Sequence, residues 1–455
     1  MCRRSWARAL TNEPDRTETL EMNARLLLTS SPILILACAV AAQDCTGPDL
    51  FAAPEAYAAG GGARELDLGD LDGDGALDVV VGGSGTGPWI LPGNGDGTLG
   101  ASIEPEPRLG GGDATIFDMN GDGMPDIVSL TRDAVAVLLN RGGLQFEPAD
   151  VYDAGISPVA LDIGDVNNDG APDVVSIGFS GRITVFLNDG DGALATATIL
   201  ETDIALSDVA VGDLDHDGNA DIYATQIDPM AFEDVFYTGR GDGQFDAVDL
   251  PGEWSLTDGV RITDLNGDGR NDLLLAVRVQ DPTVTRALLA FYTWDGSSFR
   301  SMLAAQDLGL GASARSPSAA DFDGDGLVDV FAALPGRNQV QVLPGLRAAP
   351  LVFAAPIVLD TGPATSDVGS DDLNGDGRPD LVVANRFPGG VGVLLNRCAP
   401  PCPADLDGDG ELTIFDFLEF QNLFDAGDPA ADFDGDGSLT IFDFLAFQNA
   451  FDAGC

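Results

Sequence analysis

Residues Asp70 to Asp78 read DLDGDGALD, and six near copies follow at almost even spacing. They are DMNGDGMPD from Asp118, DVNNDGAPD from Asp165, DLDHDGNAD from Asp213, DLNGDGRND from Asp264, DFDGDGLVD from Asp321 and DLNGDGRPD from Asp372. Their starts are separated by 48, 47, 48, 51, 57 and 51 residues, which makes the chain a seven-unit array. Each copy carries Gly at position 6 and a side-chain oxygen at positions 1, 3, 5 and 9. The candidate metal ligands are therefore Asp70, Asp72, Asp74 and Asp78; Asp118, Asn120, Asp122 and Asp126; Asp165, Asn167, Asp169 and Asp173; and Asp213, Asp215, Asp217 and Asp221. The last three copies add Asp264, Asn266, Asp268 and Asp272; Asp321, Asp323, Asp325 and Asp329; and Asp372, Asn374, Asp376 and Asp380. Four oxygen donors in so short a loop repel one another without a cation, and Ca²⁺ suits them because it accepts six to eight oxygens in loose geometry. Gly at position 6 permits the sharp reversal that aims the donors at one centre. The bland alternative is a set of solvated Asp-Gly turns.

Outward from each loop the pattern is that of strands. Position 2 is always apolar, so one side of the loop is expected to be buried, and position 10 is always Val, Ile or Leu and opens runs such as DVVVGG and DLVVAN. A second apolar run follows, as in ITVFLN, and then a Gly-rich hairpin such as NDGDGAL. About 50 residues with roughly four short strands per unit predicts a propeller blade, and seven units predict an all-β, seven-bladed β-propeller. This region, about 350 residues, resembles the FG-GAP/VCBS repeat family, the calcium-loop propellers also found at the head of integrin α chains. The resemblance implies a calcium-stabilised propeller used mostly for binding, with position 7 adding its backbone carbonyl to the side-chain ligands. Hairpin six, VLPGLRAAPLVF, departs from the family pattern.

The last unit stops early, at Leu395-Asn396-Arg397-Cys398, and its missing segment is found at the other end of the chain. Setting Phe51 on Phe146 aligns PDLFAAPEAYAAGG with GGLQFEPADVYDAG and puts Cys45 at the place of Asn140. The N-terminal strand is then expected to complete the final blade, with Cys45 meeting Cys398 in a disulfide at the junction. Four cysteines remain once an export signal is removed, with three possible pairings.

Residues 1–42 read as that signal: Arg25 precedes an apolar run that ends in small residues around Ala41 and Ala42. The acids within residues 1–21 make a poor n-region and point to Met22 as the start, while ILAC ending at Cys38 offers a lipoprotein alternative. The run is too short and interrupted for a membrane span. A formal charge of −52 argues against nucleic-acid or anionic-membrane partners, and 44% hydrophobic residues argue against disorder. A secreted or cell-surface protein is expected.

Beyond a short linker, residues 399–401, the loops change type. Residues 405–416 read DLDGDGELTIFD and residues 432–443 read DFDGDGSLTIFD, with the acid moved from position 9 to position 12. The candidate ligands are Asp405, Asp407, Asp409, Thr413 and Asp416, then Asp432, Asp434, Asp436, Thr440 and Asp443. A 12-residue loop whose last acid opens a helix is EF-hand-like, and Phe417, Phe420, Leu423 and Phe424 with Phe444, Phe447 and Phe451 keep helical spacing. Residues 402–455 resemble a dockerin domain, the variety ending in Gly-Cys, as Gly454-Cys455 does here. That resemblance implies a small α-helical domain with two further Ca²⁺ sites, a Cys402–Cys455 clasp, and a cohesin-like or cell-envelope partner read by Ile414, Phe415, Ile441 and Phe442. The alternative is that Phe415 and Phe442 only pack the domain's own core.

Catalysis has little to work with. The only His, His216, sits at position 4 of a loop as a turn residue, which leaves no Ser-His-Asp set or His-ligated zinc. Trp89, Trp254 and Trp294 could stack on sugars but suit core packing better. The expected function is a non-catalytic, calcium-loaded binding or adhesion propeller with a protein or polysaccharide ligand. The alternative is a polysaccharide lyase or glycoside hydrolase carried by the dockerin.

Overall fold

The runs that follow the acidic loops are buried from end to end, Asp78–Gly83, Asp173–Gly178 and Asp329–Leu334 among them. Unbroken apolar runs of this kind form strands covered on both faces, and here the covers are the neighbouring sheets. A computed structural model describes residues 50–83, 87–105, 112–227, 234–250, 256–281, 284–296, 298–302, 305–310, 313–346 and 351–398. In the C-terminal segment it describes residues 404, 406, 412–428, 431–433 and 438–453. Seven antiparallel sheets follow one another along the chain as the blades of a β-propeller. In each, the inner strand leads through the acidic loop into the buried second strand, as Ala63–Gly69 does into Asp78–Gly83.

The final blade is completed as expected. Its strands Thr365–Asp371, Asp380–Asn385 and Gly390–Leu394 are joined by Glu55–Ala58, with Glu55 opposite Val393 and Ala58 opposite Gly390. The bridge from Phe51 to Asn396 repeats the one from Phe146 to Asn140, so the alignment that set Phe51 on Phe146 is correct. Burial drives this closure: Leu50, Phe51, Phe322, Leu394 and Cys398 share one apolar cluster, with the Phe51 and Phe322 rings edge to face at 5.2 Å.

The departure at hairpin six is structural. Gly345–Leu346 pairs with Val352–Phe353 as a small separate ladder, and Ile357–Asp360 supplies the fourth strand. The inner strands of blades 1 and 3 to 7 each show a register shift near their start, for example between Leu206 and Asp208.

Two helices close the chain, Ile414–Ala426 and Ile441–Ala453. Their core joins residues 27 apart in sequence: Ala404 and Ala431, Leu412 and Leu439, Phe417 and Phe444, Phe420 and Phe447. Phe420 stacks on its counterpart Phe447 with ring centres 4.5 Å apart. The two units are thus halves of one symmetric packing unit.

Candidate metal centres

Each propeller loop is held closed by its own amides. In the first, Asp70 Oδ1 accepts from the Gly73 and Asp74 N–H groups and Oδ2 from Gly75, at 2.8 to 3.2 Å. Asp72 then accepts from Asp74 N–H, and Asp74 from Ala76 N–H. The loop of blade 2 repeats these bonds with Asp118, Asn120 and Asp122, and that of blade 7 repeats most of them. Position 2 is buried in all seven loops, from 0 to 3% exposed. Position 4 needs a left-handed backbone: where other copies have Gly, Asn168 stands at φ 59° and His216 at φ 64°. His216 is therefore the turn residue its position predicts.

Among the described residues, three carboxylates converge in each of three loops. Asp70, Asp72 and Asp78 present oxygens within 4.8 Å of one another, as do Asp213, Asp215 and Asp221, and Asp321, Asp323 and Asp325. Three hard oxygen donors at that separation fit a hard divalent cation, and these residues could hold one.

Position 9 has a structural duty that the sequence did not reveal. Asp78 Oδ2 accepts from Leu71 N–H at 2.8 Å and Oδ1 from Gly93 N–H at 2.8 Å, tying the start of the loop to the following hairpin. The same pair of bonds recurs at Asp126, Asp173, Asp221, Asp329 and Asp380. In blade 5 Leu265 N–H reaches Asp272 Oδ2 at 3.2 Å, and no amide reaches Oδ1 among the described residues. There Trp294 pairs with Phe299 across a hairpin one residue shorter than that between Asn188 and Leu194. Burial pushes the carboxyls of Asp126, Asp173, Asp221 and Asp380 up to about 6 and that of Asp329 to about 7, against the pull of the amides they accept.

A second acidic feature also escaped the sequence reading. The inner strands of all seven blades line a central cavity of about 600 Å³, and Glu65, Asp67, Asp113, Asp162, Asp208 and Asp367 face it. Five of these acids clasp the next blade by accepting a backbone amide: Asp367 from Leu66, Asp67 from Ile116, Asp113 from Leu161, Asp162 from Val211 and Asp208 from Val260, at 2.7 to 3.0 Å. Burial pushes Asp113 up to about 8, Asp208 to about 7 and Asp162 to about 6. Neighbouring channel acids add to the rise, and Arg261 opposes it at Asp162. The signal was present but split, because the acid stands three residues before the loop in blades 1 and 3 and five before it in blades 2, 4 and 7.

The family described as FG-GAP-like repeat matches residues 70–128, 118–176, 165–224, 264–332 and 321–383, more than half of the chain. The chain belongs to the FG-GAP-like repeat family. Among solved structures, the FG-GAP-like propeller is similar to BBS1N in complex with ARL6DN, in crystals soaked with mercury and with lead. The TM-score is 0.52 at 14% identity, over 77% of this chain and 98% of that one. It is also similar to an Agrocybe aegerita protein that recognises non-reducing terminal N-acetylglucosamine, with TM-score 0.49 and 20% identity over 71% of this chain and 86% of that one. No curated protein matches it.

At the C-terminus, Thr413 caps its helix: its Oγ accepts from Phe415 N–H at 3.1 Å, while Asp416 Oδ2 accepts from Thr413 N–H at 2.7 Å. Thr440 and Asp443 repeat both bonds. Ile414, Phe415, Ile441 and Phe442 are 62 to 65% exposed, so Phe415 and Phe442 do not pack the core. Trp89 and Trp294 are partly buried against apolar clusters, as packing residues. Asp405, Asp407, Asp409, Asp434, Asp436, Cys45, Cys402, Cys455, Trp254, the signal segment and the linker lie outside the described residues.

Proposed function

We propose that this FG-GAP-like propeller is a secreted, calcium-loaded, non-catalytic binding protein, anchored to a surface or scaffold through a dockerin-like helical pair. The observation that carries the reading is the pair of identical apolar faces, Ile414-Phe415 and Ile441-Phe442. They stand exposed at the starts of two symmetric helices while every other Phe of the pair lies in or against the core. Exposed Phe and Ile side chains on a chain of charge −52 invite a partner with an apolar recess.

Three convergent loops support the calcium part, and the recurrence of the acidic motif extends it to seven sites in the propeller and two in the helical pair. On this reading the side chains at positions 1, 3, 5 and 9 would hold the cation, which would offset their mutual repulsion, and the amides that close each loop keep those side chains in place. A disulfide from Cys45 to Cys398 would lock the ring closure. Cys398 is disulfide-bonded and buried in the cluster that contains Leu50 and Phe51, close in sequence to Cys45.

The test is capture of cell-envelope partners by the full chain with and without chelator. Capture that is lost in EDTA, and lost again when both Ile-Phe pairs are replaced by Ser, supports the reading. Release of reducing ends from a polysaccharide panel by the purified protein would replace it with the enzymatic one.

A further inference from the structure

Three asparagines occupy the same place in their hairpins and make the same pair of bonds. Asn140 Nδ2 donates to the Leu71 carbonyl, at position 2 of the blade 1 loop, at 2.7 Å, and to the Pro125 carbonyl, at position 8 of its own loop, at 2.8 Å. Asn188 repeats this with Met119 at 2.7 Å and Pro172 at 3.0 Å, and Asn396 with Phe322 at 2.8 Å and Pro379 at 3.0 Å. All three are at most 4% exposed, so these bonds have no water to replace them.

Each asparagine also donates its backbone N–H to the position 9 carboxylate of its own loop, as Asn140 does to Asp126 Oδ1 at 2.7 Å. The other oxygen of that carboxylate holds the position 2 amide, Met119 N–H, and the Met119 carbonyl is in turn held by Asn188 of the next blade. The bonds therefore run without a break from the loop of blade 1 through that of blade 2 to that of blade 3. Blades 4 and 1 extend the run with backbone groups, Gly243 N–H to the Val166 carbonyl and Gly97 N–H to the Leu373 carbonyl, each at 3.2 Å.

We propose that Asn140 and Asn188 couple the cation loops of blades 1, 2 and 3, so that filling one raises the affinity of the next. The proposal rests on the calcium reading above. Where the position 9 carboxylate would take a cation, any adjustment of that carboxylate would pass to the asparagine bonded to it, and a buried asparagine with both amide hydrogens engaged would pass it to the neighbouring loop's carbonyl. The neighbour is then already ordered when its own cation arrives, and less binding free energy is lost to ordering.

The experiment follows calcium-dependent hydrogen-exchange protection of each loop in the full chain. Asp72→Ala with Asp74→Ala strips loop 1 of two donors and leaves Asp70 and Asp78 in place to hold the fold. The calcium midpoint of loop 2 is expected to rise by at least about fivefold, that of loop 3 by less, and that of loop 5, across the ring, not at all. In an Asn140→Gly background, which copies the residue blades 1 and 4 carry as Gly93 and Gly239, the loop 2 shift is expected to vanish. A loop 2 midpoint that ignores loop 1, an equal shift in loop 5, or a shift that survives Asn140→Gly overturns the proposal. Should Asn140→Gly not fold, the reverse measurement decides: stripping loop 2 must shift loop 1 by the same factor, and unequal factors overturn the coupling. Protection that ignores calcium in every loop of the unaltered chain overturns the calcium reading itself.

Discussion

The seven propeller loops and the two C-terminal units begin alike and end differently, and the difference lies in where one buried acid stands. In the propeller, position 9 accepts the position 2 amide, as Asp78 does from Leu71. In the first C-terminal unit that amide, Leu406 N–H, goes to position 12, Asp416, at 2.9 Å. Both acids are fully buried. Placing the acid at position 9 lets the chain leave as a strand, with the second oxygen free to hold a hairpin of the same blade. Placing it at position 12 puts the acid in the first turn of a helix, where the second oxygen closes a capping box with Thr413 and the negative charge favours the helix N-terminus. One device thus closes two loops, and its position selects strand or helix.

The harshest way to break this comparison is to remove the acid from both. Asp173→Ala leaves two buried amides without acceptors, and at about 1 to 3 kcal/mol for each orphaned group the propeller should lose several kcal/mol in chemical denaturation. Asp416→Ala should unfold the helical pair and leave the main melting transition of the propeller where it was. If the two substitutions disturb the same transition, the acids do not serve separate cores.

Calcium should sharpen the contrast with an effect that is smaller at any single site. A cation present at a hundred times its dissociation constant adds about 2.7 kcal/mol per independent site, so the propeller melting temperature should rise steeply from EDTA to millimolar calcium. Differential scanning calorimetry checks this, and superimposable curves would remove the metal from the explanation of the loops.

The channel acids set a pH dependence of the opposite kind. Asp113, Asp162 and Asp208 are raised to between about 6 and 8 in the folded chain, above the value near 4 of an unfolded Asp. The folded state therefore holds protons that the unfolded chain releases. Their contribution is complete below about pH 4 and is lost as pH rises through about 6 to 8. Asp113→Asn keeps an oxygen for Leu161 N–H and removes the charge. It should raise the melting temperature at pH 8 and change it little at pH 5, read at fixed calcium. Asp208, Asp367, Asp67 and Glu65 act on the same carboxyl and stay as they are.

What the sequence made legible follows from repetition. The acidic loops recur in register, so the seven blades could be read from their spacing, and the strand that closes the ring from the match of Phe51 to Phe146 after the last unit stops short. The clasping role of Asp78 and its counterparts could not, because a carboxylate that binds metal and one that holds amides are the same residue at the same place. The channel acids were hidden because they alternate between two positions, so no column of the repeat is acidic throughout. Ile414 and Phe415 were ambiguous for another reason: Phe417 and Phe420 lie close by on the same helix, and only packing shows which of these residues turns inward.

The smallest expected change in stability belongs to that outward pair, and it separates the two regions most cleanly. Ile414, Phe415, Ile441 and Phe442 are each more than 60% exposed, and such positions usually alter folding by no more than about 0.5 kcal/mol when substituted. The fourfold Ser variant should therefore melt like the unaltered chain in both transitions. Thr413→Ala, two residues from Phe415, removes a helix cap and should cost about 1 kcal/mol in the helical pair. If the fourfold variant destabilises the pair more than Thr413→Ala does, the Ile-Phe faces are packing elements after all, and their exposure does not mark a surface for a partner.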